Sequence, residues 1–166
     1  MADFKVRTEK DLETTVYTYA DTLFRTCLAL LREPFEAEDV VQEIFLTYYR
    51  SDKVFESEEH KKAWLIRSAV NRCKNILDFQ KRHRQISLDD LQECAGTEYD
   101  AENKDILDAL LRLPQKFRIV LTLHYVEEYK VREIADILGM KESAVKMRLQ
   151  KGRRLLEKIY REEYMP

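Results

Sequence analysis

The chain has 166 residues, enough for one domain or two small ones. Its 45% apolar and 36% charged content suits a folded core under a charged surface, and only 3 Gly and 3 Pro argue for long helices with few turns. The net charge of −2 conceals an asymmetry, because 1–80 carries 12 Lys and Arg against 15 Asp and Glu, whereas 106–166 carries 13 against 9. Overall charge therefore does not exclude a polyanionic partner for the C-terminal part. No alternating run of β-branched residues stands out, so the fold reads as all-α.

The first helix is expected over 8–31, with Leu12, Val16, Tyr19, Leu23, Cys27 and Leu30 on its inner side and Pro34 closing it. A second helix is expected over 36–50. Ala37, Val40, Val41, Ile44, Phe45 and Tyr48 form a stripe of period 3.6. Glu36, Glu38 and Asp39 fall in its first turn, where the helix dipole favours anions. The polar stretch 51–57 reads as a loop, and Ser57 is placed to cap a third helix over 58–84. That helix turns Leu65, Ala69, Cys73, Ile76 and Leu77 inward. From 61 to 84 it holds eight cations against Asp78 alone. An acidic helix next to a basic one suggests two partners on two faces.

Periodicity fails over 85–104, where Ser87, Asp89, Asp90, Gly96, Thr97 and Asp100 accumulate, and this reads as an acidic flexible linker, mostly disordered. A second domain begins near Asp105. Ile106, Leu107, Leu110 and Leu111 form a short helix, and Pro114 fits the first position of the next, along which Phe117, Val120, Leu121 and His124 are spaced. The organisation read from the sequence is thus 1–84, a linker 85–104, and 105–166, two small helical domains.

The most informative stretch is 131–156. Val131, Ile134, Ala135 and Leu138 share one face, Gly139 can take the positive φ that ends the helix, and a new helix starts near Glu142 with Val145, Leu149 and Leu156 inward. Small Ala135 lets the two helices approach. This is a helix-turn-helix, a motif whose second helix enters a major groove. From 141 to 158 that helix has seven cations against two anions, and Ser143, Lys146, Met147, Gln150, Lys151 and Arg154 share its outward face. Phosphate binding calls for that surplus.

Cys27, Cys73 and Cys94 are odd in number and match no metal spacing or disulfide framework, so idle thiols in a reducing cytosol are expected. No 18-residue apolar run occurs and the first residues do not begin a signal peptide, hence the expectation of a soluble, cytoplasmic protein without membrane insertion.

Three stretches together resemble one family, the bacterial extracytoplasmic-function (ECF) sigma factors. Glu38-Asp39-Val40-Val41-Gln42-Glu43-Ile44-Phe45-Leu46 resembles their polymerase-binding helix. Ala63-Trp64-Leu65-Ile66-Arg67-Ser68-Ala69-Val70-Asn71-Arg72-Cys73-Lys74-Asn75 resembles their −10 recognition helix. Leu113-Pro114 and Val120-Leu121, followed by Glu133-Ile134-Ala135 and Ser143-Ala144-Val145-Lys146, resemble their −35 domain. Each motif alone is moderately specific; three in this order, with a linker between, are strongly so. The resemblance implies a region 2 bundle and a region 4 helix-turn-helix. It implies core RNA polymerase and promoter DNA as partners, and an anti-sigma protein as the usual inhibitor. No cofactor and no metal follow from it.

Carried over by resemblance, Asp39, Gln42 and Glu43 dock on polymerase, an acidic-to-basic match that steers association. Asn71 and Asn75 lie four apart on one face and form helices poorly, which invites a functional reason. By resemblance they border the pocket of an unpaired −10 base, with the 51–57 loop as its other wall, while Lys62, Arg67, Lys74 and Arg82 track phosphates. Trp64 reads as core rather than as a stacking platform. On the second helix of the helix-turn-helix, Lys146, Met147, Gln150 and Lys151 are the base-edge candidates beside Ser143. Arg132, Arg148 and Arg153 suit phosphates or neighbouring side chains. Met147 and Gln150 depart from the family's usual residues, which affects the −35 sequence rather than the docking.

A stand-alone helix-turn-helix regulator is the nearest alternative, but the acidic 39–43 edge and the paired Asn fit it poorly. An enzyme is the distant one. His60, His83 and His124 have no metal spacing, and no Gly-rich phosphate loop or nucleophile beside a His–acid pair occurs.

Overall fold

In the computed structural model, which describes residues 7–83 and 104–165, α1 spans Glu9–Leu31. The Thr8 hydroxyl accepts from the Asp11 N–H at 3.1 Å and satisfies one of the orphan donors of the first turn. Arg32 ends the helix in the left-handed region at φ 63°, its N–H closing on the Leu28 carbonyl at 2.9 Å. The Glu33 carboxylate then accepts from the N–H groups of Phe35 and Glu36, and Pro34 takes the first position of α2, Pro34–Arg50. Pro34 therefore starts the second helix two residues earlier than the periodicity suggested.

The α2 stripe is buried at all six expected positions. Helix α3, Glu58–His83, begins where the Ser57 hydroxyl accepts from the His60 N–H at 3.1 Å. Leu65, Ala69 and Cys73 are fully buried, with Ile76 and Leu77 packed at the core's edge. The 51–57 loop folds Phe55 onto Tyr48 and Trp64, ring centroids 6.2 and 5.6 Å away, so Trp64 is a packing residue here.

Helix α4 is Lys104–Leu111, and Lys104, assigned to the linker from the sequence, belongs to it. Pro114 is the N-cap of α5, Gln115–Leu121, rather than its first residue. His124 does not continue α5 in α geometry. A single π-turn, Thr122–Val126, widens the chain there, and the His124 Nδ1 lies 2.8 Å from the Tyr129 carbonyl. Helix α6 is Val131–Leu138. Gly139 closes it at φ 65°, with the Met140 N–H on the Ala135 carbonyl. Helix α7, Glu142–Tyr164, buries Val145 and Leu149 and crosses α5 at Gly152, where a Cβ would sit 3.1 Å from Leu121 Cδ1 and 3.2 Å from Phe117 Cβ. Leu156 is only partly buried. No strand occurs among the described residues. The 85–103 part of the expected linker lies outside them, as does Arg84 at the end of the expected third helix.

The sequence pattern separates α1–α3 from α4–α7, but the structure packs the two sets on one continuous apolar core. The last turns of α1 are buried on every side, from Thr26 to Leu31, because α2 and α3 cover one side and α5 another. Arg118 fixes that junction. Only 3% exposed, its guanidinium donates to the carbonyls of Ala29 and Leu30 at the end of α1 and of Leu113 before α5.

Candidate nucleic-acid interface

Every outward residue expected on α7 is exposed: Ser143, Lys146, Met147, Gln150, Lys151 and Arg154. Two local features hold them outward. The left-handed turn at Gly139 sets the angle between α6 and α7, and Val145 and Leu149 anchor the opposite face of α7 in the core. Met147 stands 54% exposed in the middle of this row, an apolar group that a folded chain gains nothing by displaying. Arg132, at the start of α6, is exposed too. Arg148 is not on the open row. It lines a crevice of about 290 Å³ with Lys74, Asp78 and Lys116. Arg153 donates to the Tyr125 hydroxyl at 2.6 Å, a neighbouring side chain in the same set of helices.

On α3, Asn71 and Asn75 are exposed on one face, as their spacing requires. The cavity of the 51–57 loop lies elsewhere. It measures about 420 Å³, opens toward the start of α1, and is lined by Arg7, Asp11, Tyr48, Lys53, Phe55 and Lys61 among others, with neither Asn among them. Lys61, one of the eight cations counted from the sequence, is withdrawn from the surface. It is 8% exposed, with its ammonium 3.9 Å from Asp11 and over the Tyr48 ring. Lys62 sits over the Tyr129 ring at 4.9 Å, and the Arg67 guanidinium donates to the Asp136 carbonyl of α6 at 2.7 Å. Arg82 is exposed near the end of α3.

On α2, Asp39, Gln42 and Glu43 form an exposed edge beside the buried stripe, flanked by Phe35 at 78% and Leu46 at 50% exposure. Sequence reasoning missed these two apolar neighbours, although both fall outside the buried stripe. Glu43 is engaged. The Arg72 guanidinium of α3 holds it at 2.9 Å, which links the acidic edge to the basic helix.

Comparison with known proteins decides the family. Two family models match, Sigma-70 region 2 over residues 15–83 and Sigma-70, region 4 over residues 103–156. The ECF RNA polymerase sigma factor SigW of Bacillus subtilis is 31% identical over 164 residues, covering 87% of this chain and 86% of that one. The chain belongs to the ECF sigma factors. It is thus a promoter-recognising factor of transcription initiation. The RNA polymerase sigma factor SigV of the same organism is 26% identical, covering 92% of each chain. In fold, the sigma factor is similar to Bartonella quintana RpoE, solved with the anti-sigma factor NepR (TM-score 0.77, 19% identity, 93% of this chain and 99% of that one). CnrH, solved with the cytosolic domain of CnrY, also matches (TM-score 0.70, 19% identity, 94% and 91%). Both superpositions span the two helical sets. No described helix is long and apolar enough to cross a membrane.

Proposed function

We propose that this sigma factor divides its task among three helices. The open edge Asp39, Gln42, Glu43 of α2 docks on core polymerase, with Phe35 and Leu46 supplying an apolar anchor at its ends. Helix α3 receives the −10 strand: Asn71 and Asn75 contact an unpaired base, and Lys62, Arg67, Lys74 and Arg82 follow its phosphates. Helix α7 enters the −35 major groove. There Ser143, Lys146, Met147, Gln150 and Lys151 meet base edges and Arg132, Arg148 and Arg153 meet the backbone. The division assigns 1–84 to region 2, 85–104 to a linker and 105–166 to region 4. Promoter opening needs no catalytic group on this chain, and the working compartment is the cytoplasm, where polymerase resides.

The observation that carries this reading is the α7 row. It is an exposed, cation-rich face on the second helix of a helix-turn-helix, and it sets an apolar Met147 and the amide of Gln150 among the cations, a mixture suited to base edges as well as phosphates. An anti-sigma protein fits as a further partner, since the RpoE of similar fold was solved with the anti-sigma factor NepR.

The test begins with Asp39→Lys. Asp39 is exposed on α2, so reversing it should leave the helical signal intact while weakening core binding in a native-gel titration. Unchanged affinity would remove α2 from the polymerase interface.

A further inference from the structure

The loop between α2 and α3 is held from outside by a residue that the three-helix division leaves without a task. Arg7 stands just before the Thr8 cap of α1. Its Nε donates to the Tyr48 carbonyl at 2.7 Å. That carbonyl is one of the last four of α2, at the helix end that favours a cation. A terminal N–H of the same guanidinium donates to the Lys53 carbonyl, in the middle of the 51–57 loop. The group also lies over the Tyr48 ring at 4.0 Å and within 5.4 Å of the Phe55 ring centre. One planar group thus ties the end of α2, the loop backbone and the loop's aromatic packing together. A fork of donors that can also stack is needed for this, and a Lys ammonium supplies neither.

The floor under Arg7 is fixed independently. Tyr48 is 1% exposed, and its hydroxyl donates to the Asp11 carboxylate at 2.6 Å. Helix α1 does not depend on Arg7, because Thr8 caps it and its buried positions begin at Thr15. The consequence falls on the loop. Val54 stands 76% exposed at its tip, between a Lys53 carbonyl held by Arg7 and a Phe55 ring held by Tyr48 and Trp64. Fixed backbone on both sides, rather than slack, sets the place of that tip.

We propose that Arg7 is a positioning residue for promoter opening: it sets the shape of the 51–57 loop and, through it, the fit of an unpaired −10 base. The inference rests on the reading that this loop walls the site of that base. A loop that samples several shapes presents the competent one for only part of the time, and apparent affinity falls by that fraction. Arg7 raises the fraction. Its loss weakens the −10 contact and leaves the contacts made by α2 and α7 as they are.

The experiment uses the full chain with core polymerase and compares wild type with Arg7→Ala, Arg7→Lys and Val54→Asp. Trp64 is the chain's single tryptophan, partly buried and packed on Phe55, so it reports the loop directly. Acrylamide quenching of Trp64 should rise in Arg7→Ala while the far-UV helical signal holds. Open-complex formation is then measured on promoters varied one position at a time in both elements. Arg7→Ala should lower opening about three- to tenfold on the preferred −10 sequence, the loss of two partly exposed charge-assisted hydrogen bonds. It should also flatten preference at one −10 position, with −35 preference and core affinity at wild-type values. Arg7→Lys should recover at most part of these readings. Val54→Asp changes the tip without touching Arg7 and should shift −10 preference too. If it does not, the loop is no wall of the base site, and the proposal falls with that reading. If Val54→Asp shifts the preference and Arg7→Ala does not, the reading stands and the proposal falls. An unchanged Trp64 signal in Arg7→Ala overturns it, as do equal losses across −10 and −35 variants or full rescue by Arg7→Lys.

Discussion

Replacing Arg118 with Met tests how much of the fold depends on one buried guanidinium. The substitution keeps most of the side chain's length and apolar stem but removes every donor. Left behind are the carbonyls of Ala29 and Leu30 at the end of α1 and of Leu113 before α5, in a site where Arg118 itself is 3% exposed. Hydrogen bonds to a charged group contribute about 1.5–3 kcal/mol each, and an orphaned buried acceptor costs about 1–3 kcal/mol. Removing the charge also removes its desolvation cost, which offsets part of the loss. The net expectation is destabilisation by about 3–5 kcal/mol, a large share of the roughly 5–15 kcal/mol available to a typical protein. In a chain of this size that lowers Tm by roughly 6–20 °C. Urea unfolding followed by circular dichroism measures it. Arg118→Lys should recover part of the loss, because an ammonium keeps the charge but cannot span the same fork of carbonyls. A loss below about 1 kcal/mol for Arg118→Met, with an unchanged denaturant slope, would refute the claim that this group ties the end of α1 to α5.

Gly139→Ala should cost about 1–2 kcal/mol, because φ is 65° there and a Cβ is strained whatever the free space around it; thermal melting reads it. Changing Asn71 and Asn75 to Ala should hold or raise stability, since Ala is the better helix former and both sites are exposed. Open-complex formation should nevertheless fall, and undiminished permanganate reactivity at −10 would remove the pair from base recognition. Lys151→Ala should cost about 1–3 kcal/mol on the cognate site and relax preference at one position. Arg153→Ala should weaken all promoter sequences alike, and by less than a free phosphate contact would, because its guanidinium is already held by Tyr125. A promoter library with holoenzyme separates the two patterns. Cys27 should resist alkylation until the protein unfolds. It is fully buried between α1 and α3, and hydrogen bonding to Cys73, with burial second, pushes its thiol well above the ordinary range. Peptide mapping after iodoacetamide treatment checks this.

The helices themselves were legible because their signals are local. The α2 stripe, the Ser57 cap and the left-handed turn at Gly139 each depend on residues within a turn or two of one another. The outward row of α7 was legible for the same reason. The start of α2 was placed two residues late because the cap that precedes Pro34 is Glu33, an uncommon N-cap, and the π-turn at Thr122–Val126 carries no periodic mark. The junction between the two sets was invisible. It is made of side chains reaching backbone carbonyls some 80–90 positions away, and carbonyls leave no trace in side-chain pattern. One hint existed, a lone Arg118 within the apolar run Phe117–Leu121, which only a buried set of acceptors explains. The fate of the cations was equally non-local. Lys61, Arg67 and Arg72 count alike as cations in the sequence, yet one is buried against Asp11, one bonds α6 and one holds Glu43.

Reconstituted initiation tests the central claim most directly. Purified chain is added to bacterial core polymerase on templates bearing ECF-type −35 and −10 elements, and run-off transcripts are measured. The account predicts that the chain co-migrates with core and produces a discrete transcript that depends on both elements and is lost with Asp39→Lys. Binding to promoter DNA alone, with no association with core and no factor-dependent transcript, would contradict it.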